Sequence, residues 1–325
     1  MKRRTLVQAG GVLAIAPGLA LAQPNWPSGP VRIIVGFPPG GGTDALARVL
    51  AQKLSAMWSQ QVIVETKAGV AGVLAAEYTA QQPSDGSTLL MAHINSHALA
   101  PSLQANKLRY NIDRDFTPIV LVGVTPNLLI TNPANPARTV KEVIAQCKAE
   151  PGKLSFGSAG LGSAQHLALE MFKQQAQVDA LHVPYKGSAP ALTDLMGGQI
   201  NYVFETMTAA TPHVKSGRVV AIAQTRTKRA KGHPNVPTME EAGFPGFEAT
   251  TWYGLVGPGK LPTPIAQKIN RDVNTILAMP DVQEKLDTYG AEDGGGSPEK
   301  FKQFIDSEIV KWAKVVKDGK VSVET

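Results

Sequence analysis

Two glycine-rich segments carry the residues best suited to chemistry in this sequence. Residues 37–44 read FPPGGGTD and residues 157–163 read GSAGLGS, and each lies between a short apolar run and a helical pattern. Glycines let backbone N–H groups approach a bound group closely, and the start of a helix adds partial positive charge. The pattern predicts an anion-binding loop in each segment. For the first segment, the alternative interpretation is a tight turn that binds no ligand.

A third turn of the same kind spans residues 184–190, which read PYKGSAP. It supplies the hydroxyl of Tyr185 and the cation of Lys186 between another predicted strand and helix. The alternative for Lys186 is an exposed charge that contacts no ligand. We therefore treat this turn as a weaker candidate than the two glycine loops.

A dinucleotide site is the competing interpretation of the first loop. Residues 40–45 fit the pattern G-x-G-x-x-A, and Glu65 follows at a strand end, as in a nucleotide-binding fold. However, Pro38 and Pro39 lengthen the turn, and neither glycine loop contains the lysine of a nucleotide-triphosphate loop. A periplasmic dinucleotide-dependent oxidoreductase is thus kept only as the alternative.

Other enzyme chemistry finds little support. The sequence has no G-x-S-x-G motif for a nucleophilic serine. His93 and His97 have the spacing of a zinc-binding helix pair, but their segment follows a strand and is predicted to be a loop beside a cleft. We expect no catalytic residues, no metal and no cofactor.

Positioning these loops requires alternating strands and helices. Strands are predicted at residues 31–35, 61–65 and 88–92, and Thr43 or Asp44 is predicted to cap the helix after the first strand. Such alternation indicates an α/β fold in which mostly parallel sheets are flanked by helices.

The length and the crossing segments indicate two lobes. Residues 23–325 number 303, more than one hydrophobic core usually supports. Two strand-like runs, 117–124 and 127–131, are predicted to lead into the second lobe, and 252–256 to lead back. The predicted lobes are residues 23–124 plus 249–325, and residues 125–248. One anion-binding helix start per lobe would complete a site only when the lobes close.

The first 22 residues have the pattern of a secretory signal peptide. Basic residues at 2–4 precede an apolar run, and residues 20–22 read ALA, a typical cleavage site. We expect cleavage after Ala22 and export to the periplasm, by either the general or the twin-arginine route. Without the leader, 29 basic residues face 26 acidic ones, a formal charge of +3, and no basic stretch is interleaved with aromatic residues. We therefore expect no nucleic-acid partner.

Several motifs in order resemble the periplasmic receptors of tripartite tricarboxylate transporters, the Bug family. They are VGFPPGGGTD at 35–44, DFTPI at 115–119, GSAGLGSAQH at 157–166, HVPYKG at 182–187, DLMGGQ at 194–199 and VPT at 236–238. The resemblance covers essentially the whole mature length. It implies a two-lobed, type II-like periplasmic binding protein (a Venus flytrap) that closes on a small carboxylated molecule. It also implies a monomer that delivers its ligand to membrane permease subunits.

The resemblance also assigns candidate residues. A ligand carboxylate is expected at Phe37, Gly41 and Thr43 in the first lobe and at Ser158, Gly162 and Ser163 in the second. Adding neighbouring loop residues, the candidate set is completed by Pro39, Asp44, Ser96, Ala159, Tyr185, Lys186 and Glu205. Glu205 replaces the aspartate usual in the family, and residues 93–97 depart from its Ser/Thr-rich segment. Both changes leave the ligand open among di- or tricarboxylates, amino acids and aromatic acids. A sensor role in a regulatory system stays open beside transport.

Overall fold

The computed structural model describes residues 26–104 and 107–318. The predicted leader, with its cleavage site, lies outside these residues. The strands are β1 (Val31–Val35), β2 (Val62–Thr66), β3 (Thr88–His93), β4 (Phe116–Thr131), β5 (Ser155–Ser158), β6 (Leu181–Pro184), β7 (Tyr202–Thr206), β8 (Val220–Gln224) and β9 (Thr250–Pro258). The helices are α1 (Gly42–Trp58), α2 (Val73–Ala80), α3 (Ala100–Leu103), α4 (Ile112–Asp115), α5 (Val140–Ala149), α6 (Ala164–Ala176), α7 (Ser188–Met196), α8 (Met207–Lys215), α9 (Thr263–Leu277), α10 (Pro280–Tyr289) and α11 (Pro298–Asp318).

The first lobe is built on the strand order β2-β1-β3-β9-β4, in which β4 contributes its first part. β1 pairs in parallel with both β2 and β3, whereas β9 runs antiparallel to β3 and to β4. Only β9 therefore opposes the direction of the other strands in this lobe. Such a sheet carries helices on both faces and places the loops after its parallel strands along one edge.

The second lobe repeats this plan with the order β8-β4-β7-β5-β6. β5 pairs in parallel with β6 and β7, and the last part of β4 lies antiparallel between β7 and β8. Here β4 alone opposes the other strands. The fold is thus α/β with two lobes and mostly parallel strand directions, as predicted. The residue boundaries of the lobes stay a prediction.

The predicted break between two strands at 125–126 was wrong, because β4 is one continuous strand from Phe116 to Thr131. Proline lacks the N–H that a sheet ladder requires and normally ends a central strand. Pro126, however, stands where β4 exchanges partners, from β9 up to this residue to β7 and β8 beyond it. The missing donor therefore costs little at this position. β4 runs from the first lobe into the second, and β9 begins beside this crossing, where Thr250 pairs with Pro126.

Four apolar clusters form the core, two beside each sheet half. One of the first-lobe clusters includes Trp252, Phe301 and Trp312, and it also takes in Ala164 and Leu167 from the start of α6. Since α6 follows a strand of the second lobe, the two lobes are in contact in this structure.

The sequence patterns missed two longer helices, α8 and α10. α8 contains Pro212, which argues against a helix interior, but the residue lies in the second turn of a nine-residue helix. Among the helices of residues 26–104 and 107–318, none combines the length and apolar character that crossing a membrane would require.

Candidate ligand-binding site

Four helix N-termini converge on the interface between the lobes. α1 follows the loop after β1, and α6 and α7 follow the loops after β5 and β6. α8 begins directly at the end of β7, with Thr206 as its N-cap. The helix dipole makes each of these starts favourable for an anion, and the starts of α1 and α7 have no side-chain cap on their N–H groups. The convergence places the partial positive charges of four helix starts around one interface.

A small cavity lies among these helix starts. It is lined by Phe37, Gly41, Gly42, Thr43, His93, Ala159, Gln165, Ser188, Thr206 and Tyr253. Its free volume is about 10 Å³, roughly the space that one water molecule requires. A small organic acid needs far more room. The lobes must therefore separate to admit such a molecule.

The first glycine loop supplies the first lobe's side of the cavity. Gly41 is the N-cap of α1 with extended backbone angles and no side-chain cap, so the prediction that Thr43 or Asp44 caps this helix was wrong. Asp44 instead accepts a hydrogen bond from the Gly40 N–H at 3.2 Å and contacts Arg48 at 2.9 Å. A glycine cap leaves the first N–H groups of the helix free of side-chain competition.

The second glycine loop is organised by serines and histidines. Ser163 caps α6 by accepting a hydrogen bond from the His166 N–H at 3.2 Å. The Gly162 N–H donates to Nδ1 of His166 at 3.2 Å, and the Ser158 hydroxyl lies 2.7 Å from Nε2 of His182. These contacts fix the conformation of the second glycine loop. Ala159 is the residue of this loop that lines the cavity.

The segment after β3 is helical, so the predicted loop over residues 93–97 was wrong. Asn95–Leu99 forms one π-helical turn whose side chains are all buried. His93 accepts the Asn95 N–H at its Nδ1 at 3.2 Å, so the neutral ring carries its proton on Nε2. Burial and the neighbouring His97 lower the pKa of His93 to about 3. His93 is therefore an uncharged ring in the cavity wall.

Glu205 lies beneath the cavity and is fully buried. Its Oε1 accepts hydrogen bonds from the Ser188 hydroxyl at 2.8 Å and from Nε2 of Gln165 at 3.3 Å. It also accepts from the N–H and the hydroxyl of Thr206 at 2.7 and 3.0 Å. Burial raises the pKa of Glu205, and these donors act in the opposite direction. Glu205 thus holds three cavity-lining side chains in one arrangement.

The candidate residues from the sequence occupy different positions in the structure. Those that line the cavity are Phe37, Gly41, Thr43 and Ala159. Those that support its walls are Asp44, Ser158, Gly162, Ser163 and Glu205. Ser96 is buried and bonds to the His93 carbonyl, and Tyr185 donates to Asp194 at 2.7 Å. Pro39 and Lys186 are exposed.

Sequence reasoning omitted six lining residues: Gly42, His93, Gln165, Ser188, Thr206 and Tyr253. Gln165, Ser188 and Thr206 stand at or within two residues of a helix start that follows a parallel strand, which was a usable signal. Tyr253 comes from the middle of β9 and has no local motif, so only the sheet order places it here.

A hydrogen bond between Asn95 and the start of α6 crosses between the lobes beside the cavity, and it provides a test of closure. The Ala164 N–H at the start of α6 donates to Oδ1 of Asn95 at 3.0 Å. Asn95→Ala removes the acceptor and leaves a buried N–H unpaired, a loss of about 1 kcal/mol. Because this contact requires closed lobes, we expect the Kd for a captured ligand to rise roughly fivefold. Calorimetry would measure it; Asn235→Ala, at an exposed asparagine, should leave the Kd unchanged. Equal affinities in both variants would contradict the role of this bond.

Comparison with known proteins places the chain in a family of receptors. The model of the tripartite tricarboxylate transporter family receptor matches residues 46–321. Protein BugT of Bordetella pertussis is 36% identical over 98% of this chain and 98% of its own length.

Two solved structures share the fold and contain bound carboxylates. Rpa4515 of R. palustris with adipate is 35% identical, with a TM-score of 0.89 over 91% of this chain and 99% of the other. MatC of Rhodopseudomonas palustris with bound malate is 32% identical, with a TM-score of 0.83 over 90% and 100%. The chain belongs to the tripartite tricarboxylate transporter receptor family, which includes the Bug proteins.

Proposed function

We propose that this protein is a periplasmic solute-binding protein that captures a small carboxylated molecule between its two lobes. The observation that carries the proposal is the cavity at which the starts of α1, α6, α7 and α8 converge. Backbone N–H groups at helix starts bind carboxylates without a fixed counter-charge. Adipate and malate, bound by two relatives, belong to this chemical class.

The ligand carboxylate is proposed to lie between the two glycine loops. Phe37, Gly41 and Thr43 would contact it from the first lobe, and Ala159 with the N–H groups at the start of α6 from the second. Ser158, Gly162 and Ser163 would shape the second loop rather than all contact the ligand. Binding from both sides would favour the closed arrangement of the lobes, because only that arrangement completes the site.

The protein is further proposed to deliver its ligand to the permease subunits of a tripartite transporter. This part of the proposal rests on the family and on the predicted leader. The protein is proposed to act as an exported monomer without catalytic activity. The dinucleotide interpretation loses support because Glu65 is engaged by Arg32 at 3.2 Å and by Lys67 at 2.8 Å.

Calorimetric titration of the mature chain, residues 23–325, tests the proposal. The titrants are malate, adipate, citrate, glutamate, benzoate and NADH, and adipamide is the matched control without carboxylates. We expect at least one carboxylate to bind with a Kd near or below about 1 µM. Adipamide and NADH should not bind, and NMR should recover every ligand unchanged. Binding of NADH alone, or of no carboxylate, would contradict the proposal.

A further inference from the structure

The carboxyl group of Glu205 is held through only one of its two oxygens. All of its hydrogen bonds, from Gln165, Ser188 and Thr206, end on Oε1. Its Oε2 is buried and has no hydrogen-bond partner among residues 26–104 and 107–318. The donors belong to the second residue of α6, the first residue of α7 and the N-cap of α8. This carboxylate therefore organises the wall that the second lobe contributes to the cavity.

The hydrogen bonds fix which atoms this wall offers to a ligand. A carboxylate oxygen in this position can only accept, so Ser188 and Thr206 turn their hydroxyl hydrogens toward Glu205. The amide nitrogen of Gln165 also faces Glu205, and its Oε1 is left buried and unpartnered. Gln165 and Ser188 both line the cavity. The wall therefore presents acceptors: an amide oxygen and hydroxyl lone pairs.

The charge of Glu205 has no basic side chain as its counterpart in the described part of the chain. No Lys or Arg side chain forms an ion pair with it within residues 26–104 and 107–318. His93, in the same cavity, is a neutral ring. Donors at the starts of α6, α7 and α8 stabilise this carboxylate through Oε1, but Oε2 stays buried without a donor among the described residues. Buried charges are normally paired. A cation brought by the ligand would supply the missing partner.

We propose that the captured ligand carries a primary ammonium group bound at this wall, so that it is an amino-carboxylic acid rather than a plain dicarboxylate. This inference rests on the proposed function, which places the ligand carboxylate at the glycine loops. An ammonium group has three donors and no acceptor, which matches a wall of acceptors beside a negative charge. A second carboxylate would place its lone pairs against those of Gln165 and Ser188. A hydroxyl group would match the acceptors but leave Glu205 without a cation.

Ligand series that differ at one carbon test the inference. Succinate, malate and aspartate carry hydrogen, hydroxyl and ammonium on the same carbon, and adipate with 2-aminoadipate extends the comparison to a longer chain. We expect the aminated member to bind roughly 10- to 100-fold tighter than its plain dicarboxylate, as a charge-assisted hydrogen bond provides. Calorimetry of the wild-type protein measures each Kd.

The Glu205→Gln variant tests the cause of the preference. Its neutral side chain removes the charge, so the ratio of the two Kd values should fall to near one. Glu240→Gln makes the same chemical change at an exposed position of the second lobe and should keep the ratio of the wild type. Should Glu205→Gln fail to fold by circular dichroism, Gln165→Met removes the unpartnered acceptor instead. That variant should also reduce the ratio.

The possible results separate the two claims. A preference for the aminated ligand that is lost in Glu205→Gln, or in Gln165→Met, would support the inference. Plain or hydroxylated dicarboxylates binding as tightly as the aminated ligands would overturn it and leave the proposed function intact. A preference that persists in these variants would likewise overturn it. Binding of no carboxylate at all would overturn the proposed function itself.

Discussion

Gly42→Ala is expected to weaken ligand binding roughly 5- to 150-fold. An added Cβ at this position would lie 2.3 Å from the hydroxyl of Tyr253, 3.1 Å from Cβ of Thr208 and 3.2 Å from Oγ1 of Thr206. Tyr253 is 1% exposed and has little freedom to move away. Overpacking of this kind costs about 1–3 kcal/mol. Tyr253 lines the cavity, so displacing its hydroxyl would disturb the site itself. Thr206 and Thr208 belong to the second lobe, so the added methyl group would also crowd the closed arrangement of the lobes.

The fold should tolerate this change better than the closed form does. Gly42 is the first residue of α1, and alanine favours a helix over glycine. Calorimetry gives the affinity, and circular dichroism checks the fold. Gly29→Ala is the control, because an added Cβ there meets no atom within 4 Å. Wild-type affinity in Gly42→Ala would show that the close approach of the lobes at this glycine is not needed for binding.

Phe301→Ala is expected to lower the free energy of unfolding by about 3–5 kcal/mol. Phe301 is 1% exposed and packs edge-on against Trp252, with ring centroids 5.9 Å apart. The ring also fills the space above Gly254, where an added Cβ would lie 2.1 Å from it. Truncation would leave a cavity between α11 and the sheet that these rigid neighbours cannot fill.

Urea unfolding followed by circular dichroism measures this effect. Val310→Ala on the same helix is the matched control, because Val310 is 72% exposed. Its change in unfolding free energy should stay within about 0.5 kcal/mol. A loss below about 1 kcal/mol in Phe301→Ala would mean that α11 contributes little to the first lobe.

Local patterns predicted those parts of the fold whose cause is local. The glycine loops, the strands before them and the helices after them lie where periodicity and turn residues indicated, since β1 spans Val31–Val35 and α6 begins at Ala164. Two-lobed architecture followed from the length and the crossing segments. The continuity of β4 through Pro126 could not be predicted, because it depends on an exchange of partner strands that only the tertiary structure defines.

The site was predictable at its loops but not in its second wall. The cavity is lined by Phe37, Gly41 and Thr43. These residues belong to a glycine-rich loop whose sequence predicts the start of a helix. Gln165 and Ser188 acquire their roles from Glu205, which lies far away in the sequence and reaches them through the sheet order β7-β5-β6. These long-range contacts determine which hydrogens Gln165 and Ser188 donate to Glu205. They therefore also determine which ligand group fits the wall.

A crystal structure with the tightest-binding carboxylate tests the central claim most directly. We expect the ligand between the two lobes, with one carboxylate within hydrogen-bond distance of backbone N–H groups at the starts of α1 and α6. We also expect a wider separation across the cavity, between Gly41 and Ser188, than the present one. A ligand found elsewhere, for example in the surface cavity lined by Asn132, Gln146 and Asn201, would contradict capture between the lobes.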